Sequence, residues 1–396
     1  MASVRTETLV WRARYTWRVF VLSLSGLFVF LWVAVTSRAR KGTAAKASRR
    51  PDVSEFDDVT VEGCTAADAA RVTPSRISTA VAFIADLTTY VSEIEGTTRA
   101  RVPLPLGFRE EQVEINGIRM GVTIGEHRDG PSRTAVVLIP GMFNSRVQNI
   151  MMRAARTAYF GEGLDVVIPD LRGFGETGRL DVAPPSGSWK EASDIAALCR
   201  LVRERLSSRA VFVSGFSYGA SVALSAAVQA EAGVIDRCIA FNPFGEARSM
   251  IERLSSQLPL LDPFVPFQLF FGYLLRRHCH RRNNGSCTTF VEHFERHIAP
   301  WYGVSAEELY RRASPVEQLS RITIPTMIVY ALDDPIIPVS DALLVHRRAR
   351  DNPAIRVVFQ RRGGHFGRAM FLRWATLLHE NERMTTAAHR ILGGEM

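Results

Sequence analysis

Gly215-Phe216-Ser217-Tyr218-Gly219 is the segment of this chain whose residue types and spacing most directly suggest chemistry. A strand-like run, Ala210-Val211-Phe212-Val213, precedes it and a helix-forming run, residues 220–227, follows it. G-x-S-x-G between strand and helix makes a sharp turn that lifts the serine hydroxyl above a sheet edge, and the glycines keep side chains out of that turn. A serine hydroxyl is a weak nucleophile until a base takes its proton, and the base needs an acid to orient it. The apolar run from Ile324 to Tyr330 ends in Asp333 and Asp334, either of which could reach a site at the end of a strand. We choose Asp334 as the orienting acid, with Asp333 as its alternative. One further strand leads to Gly363-Gly364-His365-Phe366-Gly367, which puts His365 on a glycine-rich loop free to approach the serine. Attack on a carbonyl also requires donors for the oxyanion. The backbone N–H of Tyr218, at a helix start, is one candidate. The N–H of Met142, in the loop after residues 136–140, is the other.

The elements that must position these groups can be read from pattern. Residues 111–115 and 118–124 alternate around Asn116-Gly117, the pair that favours a tight hairpin. Strand-like runs follow at 135–139, 164–168, 210–213, 238–241, 326–330 and 355–359, several apolar on both faces, with helical stretches between them. Such alternation predicts an α/β fold with a mostly parallel sheet covered by helices. Residues 247–320 interrupt it and read as a helical cap inserted between two strands. The body therefore divides into a first core part at 101–246, the cap at 247–320, and a second core part at 321–396.

Together, Pro140-Gly141-Met142, Asp170-Leu171-Arg172-Gly173-Phe174-Gly175, the Ser217 motif, Asp333-Asp334-Pro335 and the His365 motif resemble the α/β-hydrolase superfamily, whose chain order is Ser, Asp, His. Within it they are similar to the YheT-like branch, whose members often carry an N-terminal membrane anchor. The resemblance spans roughly residues 110–390. It implies an α/β-hydrolase fold and esterase or lipase-type action on acyl esters, with Ser217, Asp334 and His365 as a catalytic triad. Pro140 departs from it, standing where many relatives have histidine before the glycine. Asp170 and Arg172 would be structural residues of the turn after their strand.

Val19 to Ser37 is an apolar run without a charge, bracketed by Arg18 and by Arg38, Arg40 and Lys41. At about 1.5 Å per residue it nearly matches a hydrocarbon core of about 30 Å, and it exceeds the roughly 7–15 apolar residues of a cleaved signal. It predicts a single-pass anchor after a basic flank at 1–18. Arg5, Arg12, Arg14 and Arg18 precede the run. Arg38, Arg40, Lys41, Lys46, Arg49 and Arg50 follow it, a bias that favours a cytoplasmic body. Residues 38–100 read as a juxtamembrane linker with an amphipathic helix, since Ile77, Val81, Ile84, Leu87, Val91 and Ile94 recur at three- and four-residue spacing.

The chain has 396 residues, 46% of them hydrophobic, and a formal net charge of +9. That composition makes a folded rather than a disordered chain the default reading, and the basic residues flanking the apolar run point to a membrane rather than to nucleic acid. Five scattered cysteines, Cys64, Cys199, Cys238, Cys279 and Cys287, argue against a disulfide framework, and only Cys279 and Cys287 are close enough for a local bridge. His278, Cys279 and His280 invite a metal, but alternating positions on one segment cannot supply a tetrahedral set, and no partner cluster stands out. No metal or cofactor is therefore expected. The expected partners are an acyl-ester or lipid substrate and a membrane; oligomeric state is not legible. An acyltransferase using the same triad, or a membrane-anchored binding protein of the same fold, is the rival reading. A dehalogenase or epoxide hydrolase would place aspartate at position 217.

Overall fold

The computed structural model describes residues 104–127, 134–256, 265–281, 287–360 and 363–365. Phe108–Ile115 (β1) and Ile118–Gly125 (β2) pair antiparallel through a two-residue turn. Asn116 (φ 48°) and Gly117 (φ 74°) are both left-handed there, as the hairpin turn matched to strand twist requires. Thr134–Ile139 (β3), Asp165–Pro169 (β4), Ala210–Phe216 (β5), Arg237–Phe241 (β6), Thr326–Ala331 (β7) and Ile355–Gln360 (β8) complete an eight-stranded sheet. Its order is β1-β2-β4-β3-β5-β6-β7-β8, parallel from β4 to β8 and antiparallel where β2 meets β4. The runs expected from the sequence all fall on these strands. β4 and β7 are buried along their whole length, which is why their sequences are apolar without alternation.

From β3 the chain steps outward to β4, then returns to β5 on the other side of β3. A crevice opens at the carboxyl ends of such a switch point, the usual ligand position in open α/β sheets. The loop holding Met142 leaves β3 and the turn holding Ser217 leaves β5. These strands are paired as far as Ile139 opposite Gly215.

Helices Asn149–Arg156 (α1), Trp189–Arg205 (α2) and Tyr218–Gln229 (α3) follow β3, β4 and β5. α2 opens with a reciprocal cap in which Ser188 and Glu191 satisfy each other's backbone N–H. α3 is buried from Tyr218 to Ala227, and its small residues suit an element enclosed on all sides. Between β6 and β7 lie Ala247–Ser255 (α4), Val265–Arg281 (α5), short helical turns through 290–301, and Ala306–Ala313 (α6). Phe267, Phe271, Leu274, Leu275 and Cys279 form the buried stripe of α5 at helical spacing. Gln268 Nε2 donates to the carbonyls of Arg253 and Ser256, tying α5 to the end of α4. Val339–Ala349 (α7) joins β7 to β8.

Among the described residues no helix is long and apolar enough to cross a membrane. The apolar run 19–37, the linker, the amphipathic stretch 75–94 and Cys64 lie outside them.

Candidate active site

Ser217 sits at φ 55°, ψ −128°, a conformation that costs a non-glycine residue free energy and persists only where its surroundings enforce it. Its N–H donates to the Phe241 carbonyl at 2.8 Å, and its own carbonyl accepts from Ala220 at 2.9 Å, opening α3. The flanking glycines are required by close approach. A Cβ at position 215 would lie 2.2 Å from the Gly219 carbonyl oxygen, and one at 219 would lie 2.3 Å from that of Ile139. The motif thus presses the start of α3 against the ends of β3 and β5, and its serine is 8% exposed.

The two adjacent aspartates at the end of β7 separate completely in their contacts. Asp334 Oδ2 is 2.8 Å from His365 Nδ1, with both side chains buried. Its other oxygen accepts from the N–H groups of Ile336 and Ile337 at 2.7 and 3.0 Å. A carboxylate acceptor places the ring proton on Nδ1 and leaves a lone pair on Nε2, the tautomer of a general base. Asp333 Oδ1 instead accepts from Gly363 and Gly364 at 2.8 and 2.9 Å, so it holds the loop that carries the histidine. Burial pushes the Asp333 carboxyl above its ordinary range.

Asn242 is a participant that sequence reasoning missed. At the end of β6, in a left-handed conformation (φ 48°), it donates through Nδ2 to the carbonyls of Gly364 (3.2 Å) and His365 (2.8 Å) and accepts from the Ala331 N–H at 2.8 Å. Phe241 and Asn242, neighbours in sequence, therefore tie both the Ser217 turn and the His365 loop to one strand end. Asparagine before proline at a strand end is a turn signal, but nothing in the spacing links it to a loop 122 positions away.

The loop after β3 is set by a second buried clamp. The Asn144 N–H donates to the Gly141 carbonyl at 3.1 Å, Phe143 is left-handed at φ 60°, and Met142 is half-buried between them. Asp170 fastens the loop by accepting from the Arg146 N–H at 2.7 Å and from its guanidinium at 2.5 Å, and it also accepts from the Glu176 N–H at 2.8 Å. Arg172 pairs with Asp194, which also accepts from Asn116 Nδ2 at 3.0 Å and so connects the β1–β2 turn to α2. Asp170 and Arg172 therefore act as braces of the turn, the role expected of them.

Met142, Phe143, Phe174, Tyr218, Leu275 and Phe290 border a small cavity of about 20 Å³, placing both oxyanion candidates beside apolar walls roofed by α5. The Tyr218 phenol is fully buried, and burial raises its pKa well above 10, so the ring enters this site as a neutral group. A second cavity of the same size, bordered by Val113, Val122, Leu198 and Val202, contains none of the candidate residues.

Cys279 and Cys287 are thiols and not the local bridge that their spacing allows. His293 joins them: its Nδ1 lies 3.5 Å from the Cys279 sulfur and 3.6 Å from that of Cys287. This is the partner cluster that the sequence did not display around His278, Cys279 and His280. The side chain of His280 lies outside the described ones.

Residues 136–379 match the family model described as the alpha/beta hydrolase family. No curated protein sequence matches the chain. Among solved structures, a 2,6-dihydroxy-pseudo-oxynicotine hydrolase is similar at 16% identity and TM-score 0.50, over 86% of this chain and 87% of its own. The Pyrococcus furiosus esterase Pf2001 is similar at 18% identity and TM-score 0.48, over 70% and 92%. Est1E from Butyrivibrio proteoclasticus is similar at 14% identity and TM-score 0.46, over 70% and 99%. The family match extends over more than half of the chain, from β3 past the His365 loop, and the chain belongs to the α/β-hydrolase family.

Proposed function

We propose that this α/β hydrolase is a serine ester hydrolase acting on apolar acyl esters, lipid esters among them, through an acyl-serine intermediate. The observation that carries the reading is the buried 2.8 Å contact between Asp334 Oδ2 and His365 Nδ1, in a molecule whose G-x-S-x-G serine is held in a strained turn. In this reading His365 Nε2 takes the Ser217 proton as the hydroxyl oxygen attacks the ester carbonyl. Asp334 stabilises the imidazolium, and the N–H groups of Met142 and Tyr218 receive the oxyanion. Collapse expels the alcohol with the proton from His365. Water then attacks the acyl-serine and gives its proton to His365, and collapse releases the acid as His365 returns that proton to the Ser217 oxygen. The apolar walls of the small cavity beside Met142 and Tyr218 support an uncharged rather than a charged group next to the oxyanion donors.

The charge-free run at 19–37 supports attachment of the body to a membrane, with the basic excess after it favouring the cytoplasmic face. The motifs quoted above favour the YheT-like branch as the chain's place within its family.

The test is labelling of the purified, folded full chain with a fluorophosphonate probe. Wild type should label, Ser217→Ala should not, and His365→Ala should label at least about a hundredfold more slowly, the usual worth of a positioned general base. Folded wild type that resists the probe would overturn the acyl-serine mechanism and favour a binding role for the same fold.

A further inference from the structure

The cluster of Cys279, Cys287 and His293 has no part in the serine chemistry, yet its geometry is specific. The three potential ligand atoms lie within 4.8 Å of one another, and each residue is almost fully buried, at 1%, 1% and 2% exposure. With zinc–sulfur and zinc–nitrogen distances of about 2.3 and 2.0–2.1 Å, tetrahedral coordination separates sulfur from nitrogen by about 3.6 Å. The two observed separations are 3.5 and 3.6 Å. A single imidazole nitrogen has one lone pair and can accept one thiol proton, and the two thiols are also in hydrogen-bonding reach of each other, so all three ligand atoms converge on one point.

Charge agrees with this. Around the cluster, Leu275, Phe290 and Phe294 are each buried to 4% exposure or less, surroundings that penalise any net charge. Two thiolates, one neutral imidazole and a divalent cation sum to zero. His278, next to Cys279 on α5, is not one of the three clustered ligand residues; its ring packs near Phe174 and Phe143, at 5.7 and 6.0 Å, and edge-on to the His293 ring at 6.1 Å.

We propose that Cys279, Cys287 and His293 bind one zinc ion, with a water as fourth ligand, pinning α5 to the helical turn Phe290–His293. His293 also borders the cavity beside Met142 and Tyr218, so the ion fixes the roof of that cavity. Binding forms two Zn–S bonds and one Zn–N bond and releases one proton from each thiol.

The experiment is metal analysis of the full chain, isolated under reducing conditions without chelators, together with cobalt(II) substitution. The site predicts about one zinc per chain. It also predicts a thiolate-to-cobalt charge-transfer band with the visible spectrum of a tetrahedral ion. Cys279→Ser and Cys287→Ser should each weaken binding at least about tenfold, while Ser217→Ala, the control at the nucleophile, keeps the metal. Chelation should lower the melting temperature of wild type and leave that of Cys287→Ser unchanged. Since the cobalt spectrum is recorded on wild type, a variant that fails to fold does not remove the test. Folded wild type with neither stoichiometric zinc nor a charge-transfer band overturns the site. So does a Cys279–Cys287 disulfide recovered from chain alkylated at lysis.

Discussion

Asp333 and Asp334 are chemically identical neighbours at one strand end, yet their contacts assign them different work. Asp334 meets the imidazole, so Asp334→Asn should leave the fold intact and disturb the ring's tautomer and the stabilisation of its charge. The expected loss in kcat is about 10³–10⁴-fold with little change in melting temperature, read by ester hydrolysis beside thermal denaturation. Asp333 holds two glycine N–H groups of the histidine loop. Asp333→Ala should cost at least about 2 kcal/mol, because two N–H groups lose their acceptor. Asp333→Asn, which keeps an acceptor oxygen, should recover most of that loss in urea unfolding. If Asp333→Asn rather than Asp334→Asn removed activity while preserving stability, the two assignments would be reversed.

At the scale of elements, the serine turn works because α3 begins almost in contact with β3. In Gly219→Ala the new methyl would lie 2.3 Å from the Ile139 carbonyl oxygen and 2.4 Å from that of Pro140, both backbone atoms of a strand end and its loop. Neither can yield without moving the sheet, so a loss of about 3 kcal/mol or more is expected, as a lower urea midpoint or a failure to fold. Gly272 in α5 is the contrasting case. A methyl there would meet only Arg276 Nη1, at 3.8 Å, so Gly272→Ala should stabilise by roughly 0.5–1 kcal/mol through helix propensity alone. Equal effects of the two alanines would contradict the packing described for α3. The α5 stripe illustrates a related point: only the fold places Leu275 beside Met142 and Tyr218, at the ends of β3 and β5.

For the molecule as a whole, the inserted helices and the sheet are coupled through Asp341 in the first turn of α7. Its carboxylate accepts from the Gly245 N–H at 2.8 Å, at the point where the chain leaves β6 for the insertion. Burial raises its pKa from 3.8 to about 6, despite backbone hydrogen bonds that oppose the rise. The sign follows directly: the folded chain holds the proton more tightly than the unfolded chain. Stability from this group is therefore present below pH 3.8 and is lost as the pH rises towards 6. The full difference is about 3 kcal/mol at 1.36 kcal/mol per pKa unit. Asp341→Asn removes the titration, so its stability relative to wild type should improve by up to about that amount between pH 4 and pH 7. A constant difference across that range, measured by denaturant unfolding, would refute the assignment.

The sequence by itself determined the strands, the hairpin, the serine turn and the segments bearing the acid and the histidine. These depend on local rules: residue alternation, the left-handed preference of Asn-Gly, and the need for glycine where a strand turns sharply into a helix. Tertiary structure alone decided that Asp334 rather than Asp333 meets His365, 31 positions away, and that Asn242 grips the histidine loop from 123 positions away. It also decided that His293 faces the two cysteines. The physical reason is common to all three. Neighbouring strands bring together residues with no fixed separation along the chain, and the direction of a side chain at a strand or helix end depends on packing that local pattern does not encode.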